Sequence, residues 1–237
     1  MDSSFLAVKS QYSQKKGEKA MNATNSALIM MGLQNDLMPD GAIGVLNGDR
    51  VLSPIIRLIQ RDWDVRVLCQ ELHWPNHISF VTQHPGKKVG DMMMVQTDPL
   101  QDCPIPHKLE PPHCVIGSSG HLFHKSIYNL GCDLDVVQLG ADLLTDNRSA
   151  FFDKGRRLST GLHDILKRRG VTKIFICGLP AEDLVLKTAI DALVLFKDYK
   201  VFVIEDACCF RNQYMAEATM RLITKRGGRL IESSRLI

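Results

Sequence analysis

Apolar residues fall into short runs separated by amphipathic stretches, and this alternation predicts strands and helices in turn. Ala27 to Met31 (ALIMM) is a continuous apolar run of the kind that suits a strand covered on both faces. Residues 51 to 61 follow a helical period with Leu52, Ile55, Ile56 and Ile59 inward. Val65 to Leu68 reads as a second strand, Leu134 to Leu139 as a third, and Gly161 to Arg169 as a helix. Ile174, Phe175 and Ile176 form another buried strand, which Gly178 and Pro180 break. From Asp183 the apolar period becomes helical, with Val185, Ala189, Ala192, Leu193 and Phe196 on one stripe and Glu182 and Asp183 near its positive N-terminus. Lys200 to Ile204 is a fifth strand, Met215 to Lys225 a last helix, and Leu230 to Ile231 a short closing strand. The pattern predicts a three-layer α/β domain with a mostly parallel, doubly wound sheet of about six strands.

Two stretches stand outside this pattern. Residues 1 to 25 carry Lys9, Lys15, Lys16 and Lys19 against Asp2 and Glu18 among polar residues, and read as a basic, flexible tail ahead of a single domain over 26 to 237. The segment between Phe80 and His113 is too irregular for a core element, and its Met92 to Met94 run reads as a covered loop or a sticky contact surface.

Composition narrows the partners. A chain of 237 residues with 45% hydrophobic content suits one α/β domain. The net charge of +3 comes without a basic stripe interleaved with aromatics, so nucleic-acid binding is not expected. No apolar run approaches the roughly 20 residues that span a membrane, and the first residues lack a signal-peptide core, so a cytoplasmic protein is expected. Seven scattered cysteines fit a reduced compartment, with Cys69, Cys114 and Cys177 read as small core hydrophobes.

The candidate chemistry lies at the elbow after Ile176. In an open parallel sheet, a strand-to-helix elbow points its first helical side chains into the ligand crevice. An enzyme would place a nucleophile there, and this chain has Leu184. The stretch KIFICGLPAEDLVLKTAIDALVLF resembles the nicotinamidase branch of the isochorismatase-like cysteine hydrolases at Cys177, Gly178, Leu179, Val185, Thr188, Ala189, Asp191 and Ala192. The resemblance covers roughly residues 26 to 237 and implies an isochorismatase-like, Rossmann-like fold. It also implies a triad of Asp, Lys and Cys, whose positions here are Gly32, Leu139 and Leu184. Gln34, Asn35 and Asp36 match the family after the first strand, as loop-closing groups rather than as the base. Ser149 to Asp153 match the family's S-A-F-F-D and fix the register of Leu139.

The resemblance further implies a metal set at Glu71, His73 and His113, within CQELHWPNHISF and PPHCVIGSSG. Two histidines and a carboxylate suit zinc, iron or manganese. The same histidines also read as hydrogen-bonded core groups, and both readings stand. Glu110 occupies the family's pocket Trp position, and Leu37 replaces an aromatic. Leu179, Pro180 and Leu184 form the oxyanion-type elbow, where a cis Leu179–Pro180 bond is expected by likeness to the family. The expected function is that of a pseudoenzyme, binding a protein partner, a second copy or a pyridine-like small molecule. The alternative is an active metal-dependent nicotinamidase-type hydrolase acting in NAD salvage.

Overall fold

The computed structural model describes residues 24–95, 104–128, 130–147 and 149–236. Most of the expected basic tail therefore lies outside the described residues. Six strands form one sheet: β1 (Ser26–Met31), β2 (Val65–Glu71), β5 (Asp135–Leu139), β6 (Lys173–Gly178), β7 (Lys200–Cys208) and β8 (Arg229–Ile231). Their order is β5-β2-β1-β6-β7-β8, with every neighbouring pair parallel. The central strands are apolar throughout because helices and loops cover both faces: all six residues of β1 are buried.

Among the described residues four α-helices flank the sheet: α1 (Leu52–Ile59), α2 (Leu162–Arg168), α3 (Leu186–Leu195) and α4 (Ala216–Lys225). On α1, Leu58 is buried and Ile56 half-buried, so the apolar stripe is rotated slightly from the expected one. Helical backbone at the elbow begins at Ala181 rather than Asp183, as a π-type turn over Ala181–Val185 that runs into α3. The Leu179–Pro180 bond is cis, as expected. β7 runs four residues further than its apolar core, carrying Glu205 to Cys208 alongside β6 after a register shift.

The stretch expected to hold no regular element contains an antiparallel hairpin, β3 (Met92–Val95) with β4 (Ile105–Lys108). Met92 and Met94 are 61% and 62% exposed. The covered-loop reading is thus corrected. Alternation along the strand sends these two side chains outward, a period of two that three consecutive methionines conceal. Among the described residues no helix is long and apolar enough to cross a membrane. Six cysteines among these residues are free, and Cys69, Cys114 and Cys177 are buried.

Candidate functional site

The sheet reverses its winding between β1 and β6, so the crevice at their carboxyl ends is where this architecture receives ligands. Three loops meet that end. Gly32 follows β1, Leu139 ends β5, and Leu184 lies in the turn after β6. Leu139 and Leu184 are buried, and neither can move a proton or attack a carbonyl. Gly32 has φ +67°, and a Cβ built there would sit 1.8 Å from the Leu179 carbonyl oxygen. The elbow backbone therefore occupies the space that any side chain at position 32 would need.

Other reactive groups nearby are engaged elsewhere. Burial pushes the Cys177 thiol well above its ordinary range, and its Sγ faces the Ile29 carbonyl at 3.9 Å. Lys187 pairs with Asp183 one turn earlier on the helix surface.

Glu71, at the end of β2, His73 just beyond it and His113 on the following long loop come together and are buried. Glu71 Oε2 lies 3.7 Å from His73 Nε2 and 3.6 Å from His113 Nε2. One ligand atom from each residue lies within 4.8 Å of the other two. Donors held about 2.1 Å from one ion in tetrahedral geometry stand about 3.4 Å apart, so the set fits a zinc-like ion with small adjustment. Both ring nitrogens of His73 are buried without a hydrogen-bond partner. An orphaned polar pair costs stability in a dry interior, and a metal bond to Nε2 would remove part of that cost.

The surrounding residues fix this set in place. Gln34 is fully buried; its Nε2 donates to the Glu71 carbonyl at 2.8 Å and its Oε1 accepts from the Glu71 N–H at 2.6 Å. Asp36 Oδ2 accepts the Cys114 N–H at 2.7 Å and so holds the loop that carries His113. His113 Nδ1 is 2.9 Å from the Pro111 carbonyl, the arrangement that turns Nε2 toward Glu71. Gly140 (φ +71°) stands against His73, where a Cβ would meet the ring at 2.6 Å. The loop-closing role expected of Gln34 and Asp36 is thus seen. What the sequence did not reveal is that both close their loops onto the Glu71 and His113 segments.

The electrostatics are those of a paired buried cluster. Burial opposes the charge on Glu71, but the two histidines outweigh it and hold the carboxyl well below the usual range. Burial lowers His113, and Glu71 with Glu110 more than reverses this, placing it at about 9. Glu110 itself is pushed up, first by burial. Its Oε2 lies 3.7 Å from His113 Nε2 and its Oε1 3.8 Å from Arg211 Nη1. His77 packs against His73, with ring centroids 4.5 Å apart.

Residues 26–235 match the isochorismatase domain family. The chain belongs to that family. Nicotinamidases of Acinetobacter baylyi and Escherichia coli are each 34% identical to this isochorismatase-family chain, over 190 and 193 residues. The matched region is 78% and 77% of this chain and 82% of each relative. The solved nicotinamidase/pyrazinamidase of Acinetobacter baumanii has a TM-score of 0.78 at 30% identity, covering 90% of this chain and 98% of its own. A Pyrococcus horikoshii pyrazinamidase solved in complex with zinc is 25% identical, with a TM-score of 0.68 over 88% of this chain and 99% of its own. An Arabidopsis thaliana relative described as a probable inactive nicotinamidase is 26% identical over 186 residues, 77% of this chain and 80% of its own.

Proposed function

We propose that this isochorismatase-family chain is a nicotinamidase-like binding protein without amidase activity. The observation that carries the reading is Gly32: its position has neither an acid nor room for one. Cysteine-dependent amide hydrolysis needs a thiolate, a base beside it and a donor or cation at the developing oxyanion. The residues at the three corresponding positions are Gly32, Leu139 and Leu184, and the nearby Cys177 and Lys187 are occupied elsewhere.

The ligand-facing frame is kept. The elbow, its cis Leu179–Pro180 bond and the Glu71, His73 and His113 set all remain. A divalent zinc, iron or manganese ion held there would act as a Lewis acid toward a carbonyl or a ring nitrogen. The zinc in the Pyrococcus relative supports such an ion here, and the nicotinamidase relatives support a pyridine carboxamide as the small molecule. A protein partner or a second copy of the chain is the other route by which a silent domain acts.

One observation favours a second reading. The buried ring nitrogens of His73, which make no hydrogen bond, suit a metal site that activates water, which would make the chain a metal-dependent nicotinamidase-type hydrolase. A single experiment separates the two: titrate nicotinamide into zinc-loaded protein by calorimetry, then recover the ligand. Heat of binding with nicotinamide recovered unchanged supports the binding protein. Recovery as nicotinate and ammonia supports the hydrolase and overturns the first reading.

A further inference from the structure

The carboxylate of Glu110 is unused by anything above, and it stands at the edge of the metal set. Its Oε2 is 3.7 Å from His113 Nε2, the atom that also faces Glu71 at 3.6 Å. Two ligand atoms on one tetrahedral ion lie about 3.4 Å apart, so His113 is spaced from both carboxylates as from co-ligands. Glu110 is outside the tight group formed by Glu71, His73 and His113, and its other oxygen lies 3.8 Å from Arg211 Nη1. The backbone at Glu110 is held independently: its N–H donates to the Ser79 carbonyl, and its carbonyl accepts from the Val81 N–H, each at 2.9 Å. Only the side chain has to turn.

We propose that Glu110 is a fourth protein ligand, which makes Glu71, His73, His113 and Glu110 a closed metal site. The proposal rests on the ion proposed above and gives that ion a structural role in place of the ligand-facing one. Two observations carry it: neither buried ring nitrogen of His73 has a hydrogen-bond partner, and a second carboxylate stands at co-ligand distance from His113. Charge points the same way. Two carboxylates and two neutral imidazoles balance a divalent ion completely, whereas one carboxylate leaves it a net positive charge. A balanced, four-coordinate ion keeps no open position for water or substrate, which is the form of structural rather than catalytic zinc sites. The site would then tie β2 to the His113 loop, and the ion would contribute folding stability rather than turnover.

The test uses full-length protein stripped with a chelator and titrated with zinc, and separately with cobalt as a spectroscopic probe. Natural protein, Glu110→Gln, Arg211→Gln and His73→Ala are compared, with circular dichroism confirming that each stripped variant is folded. The expected result is one ion per natural chain, binding at least about tenfold weaker in Glu110→Gln, and little uptake by His73→Ala. The cobalt visible spectrum of Glu110→Gln should move from the four-coordinate form as water replaces the carboxylate, while Arg211→Gln keeps natural affinity and spectrum. Unchanged affinity and spectrum in Glu110→Gln would overturn the closed site and leave the three-residue metal reading intact. Equal losses in Glu110→Gln and Arg211→Gln would assign the effect to their ion pair and also overturn it. No uptake by the natural chain would overturn both readings.

Discussion

A side chain at Gly32 would collide with backbone, not with a movable neighbour. The nearest atom is the Leu179 carbonyl oxygen, and φ at +67° is itself a region that favours glycine. Gly32→Ala is therefore expected to cost more than about 3 kcal/mol, read as a shift in the denaturant midpoint. A cost below about 1 kcal/mol would show that the elbow yields. Two residues on, Gln34→Leu removes both hydrogen bonds to the Glu71 main chain, together with the one to the His121 carbonyl, from a buried position. That change should destabilise by roughly 3 kcal/mol and weaken zinc uptake about tenfold or more. Both effects are absent if Gln34 serves only its own loop. Gly32, Leu139 and Leu184 were legible as unreactive from the sequence because matched residues flank each one. The contact between Gly32 and Leu179 was not legible, since it joins residues 147 positions apart. Glu110 was noticed only as a departure from the family's Trp, because nothing in PPHC shows where its carboxylate points.

Element by element, continuous apolar runs located β1, β6 and β7, because a strand covered on both faces has no polar phase to obscure it, while the β-branched runs of β2 and β5 stood out despite their polar positions. The β3–β4 hairpin was missed because methionine is unbranched and apolar on both faces of a half-exposed strand. Met92→Lys combined with Met94→Lys is expected to change stability by no more than about 0.5 kcal/mol. A larger loss would mean that this face is covered. The buried strands also decide what the thiols can do. Burial raises Cys69 and Cys208 to about 12 and Cys177 well above its ordinary range, so each stays a neutral thiol at pH 8. Iodoacetamide at pH 8 followed by peptide mapping should leave all three unmodified in native protein and alkylate them in denaturant. Native alkylation of Cys177 would revive it as a nucleophile. The sign of the linkage follows: the unfolded thiols ionise above about 9 and the folded ones do not. These three thiols therefore destabilise the fold increasingly as pH rises from 9 toward 12.

Across the whole molecule, the carboxyl end of the sheet carries Gly32, Leu139 and Leu184, none of them an acid, a cation or a nucleophile. The parallel order β5-β2-β1-β6-β7-β8 brings Gly32 and the elbow to the switch point, with Glu71 one strand away. The alternation of strands and helices foretold a mostly parallel, doubly wound sheet with the elbow at its ligand crevice, while the strand order itself is seen only in the structure. Whether this end of the sheet does chemistry is decided by turnover. The most direct measurement is ammonia release from nicotinamide by full-length protein loaded in turn with zinc, manganese and iron, beside the Escherichia coli nicotinamidase. On the proposed binding-protein reading, the rate is expected on the order of a million-fold below that relative, at the limit of detection, with every metal. Metal-dependent release that saturates with nicotinamide and disappears in His73→Ala would contradict it and make the buried histidines a working catalytic centre.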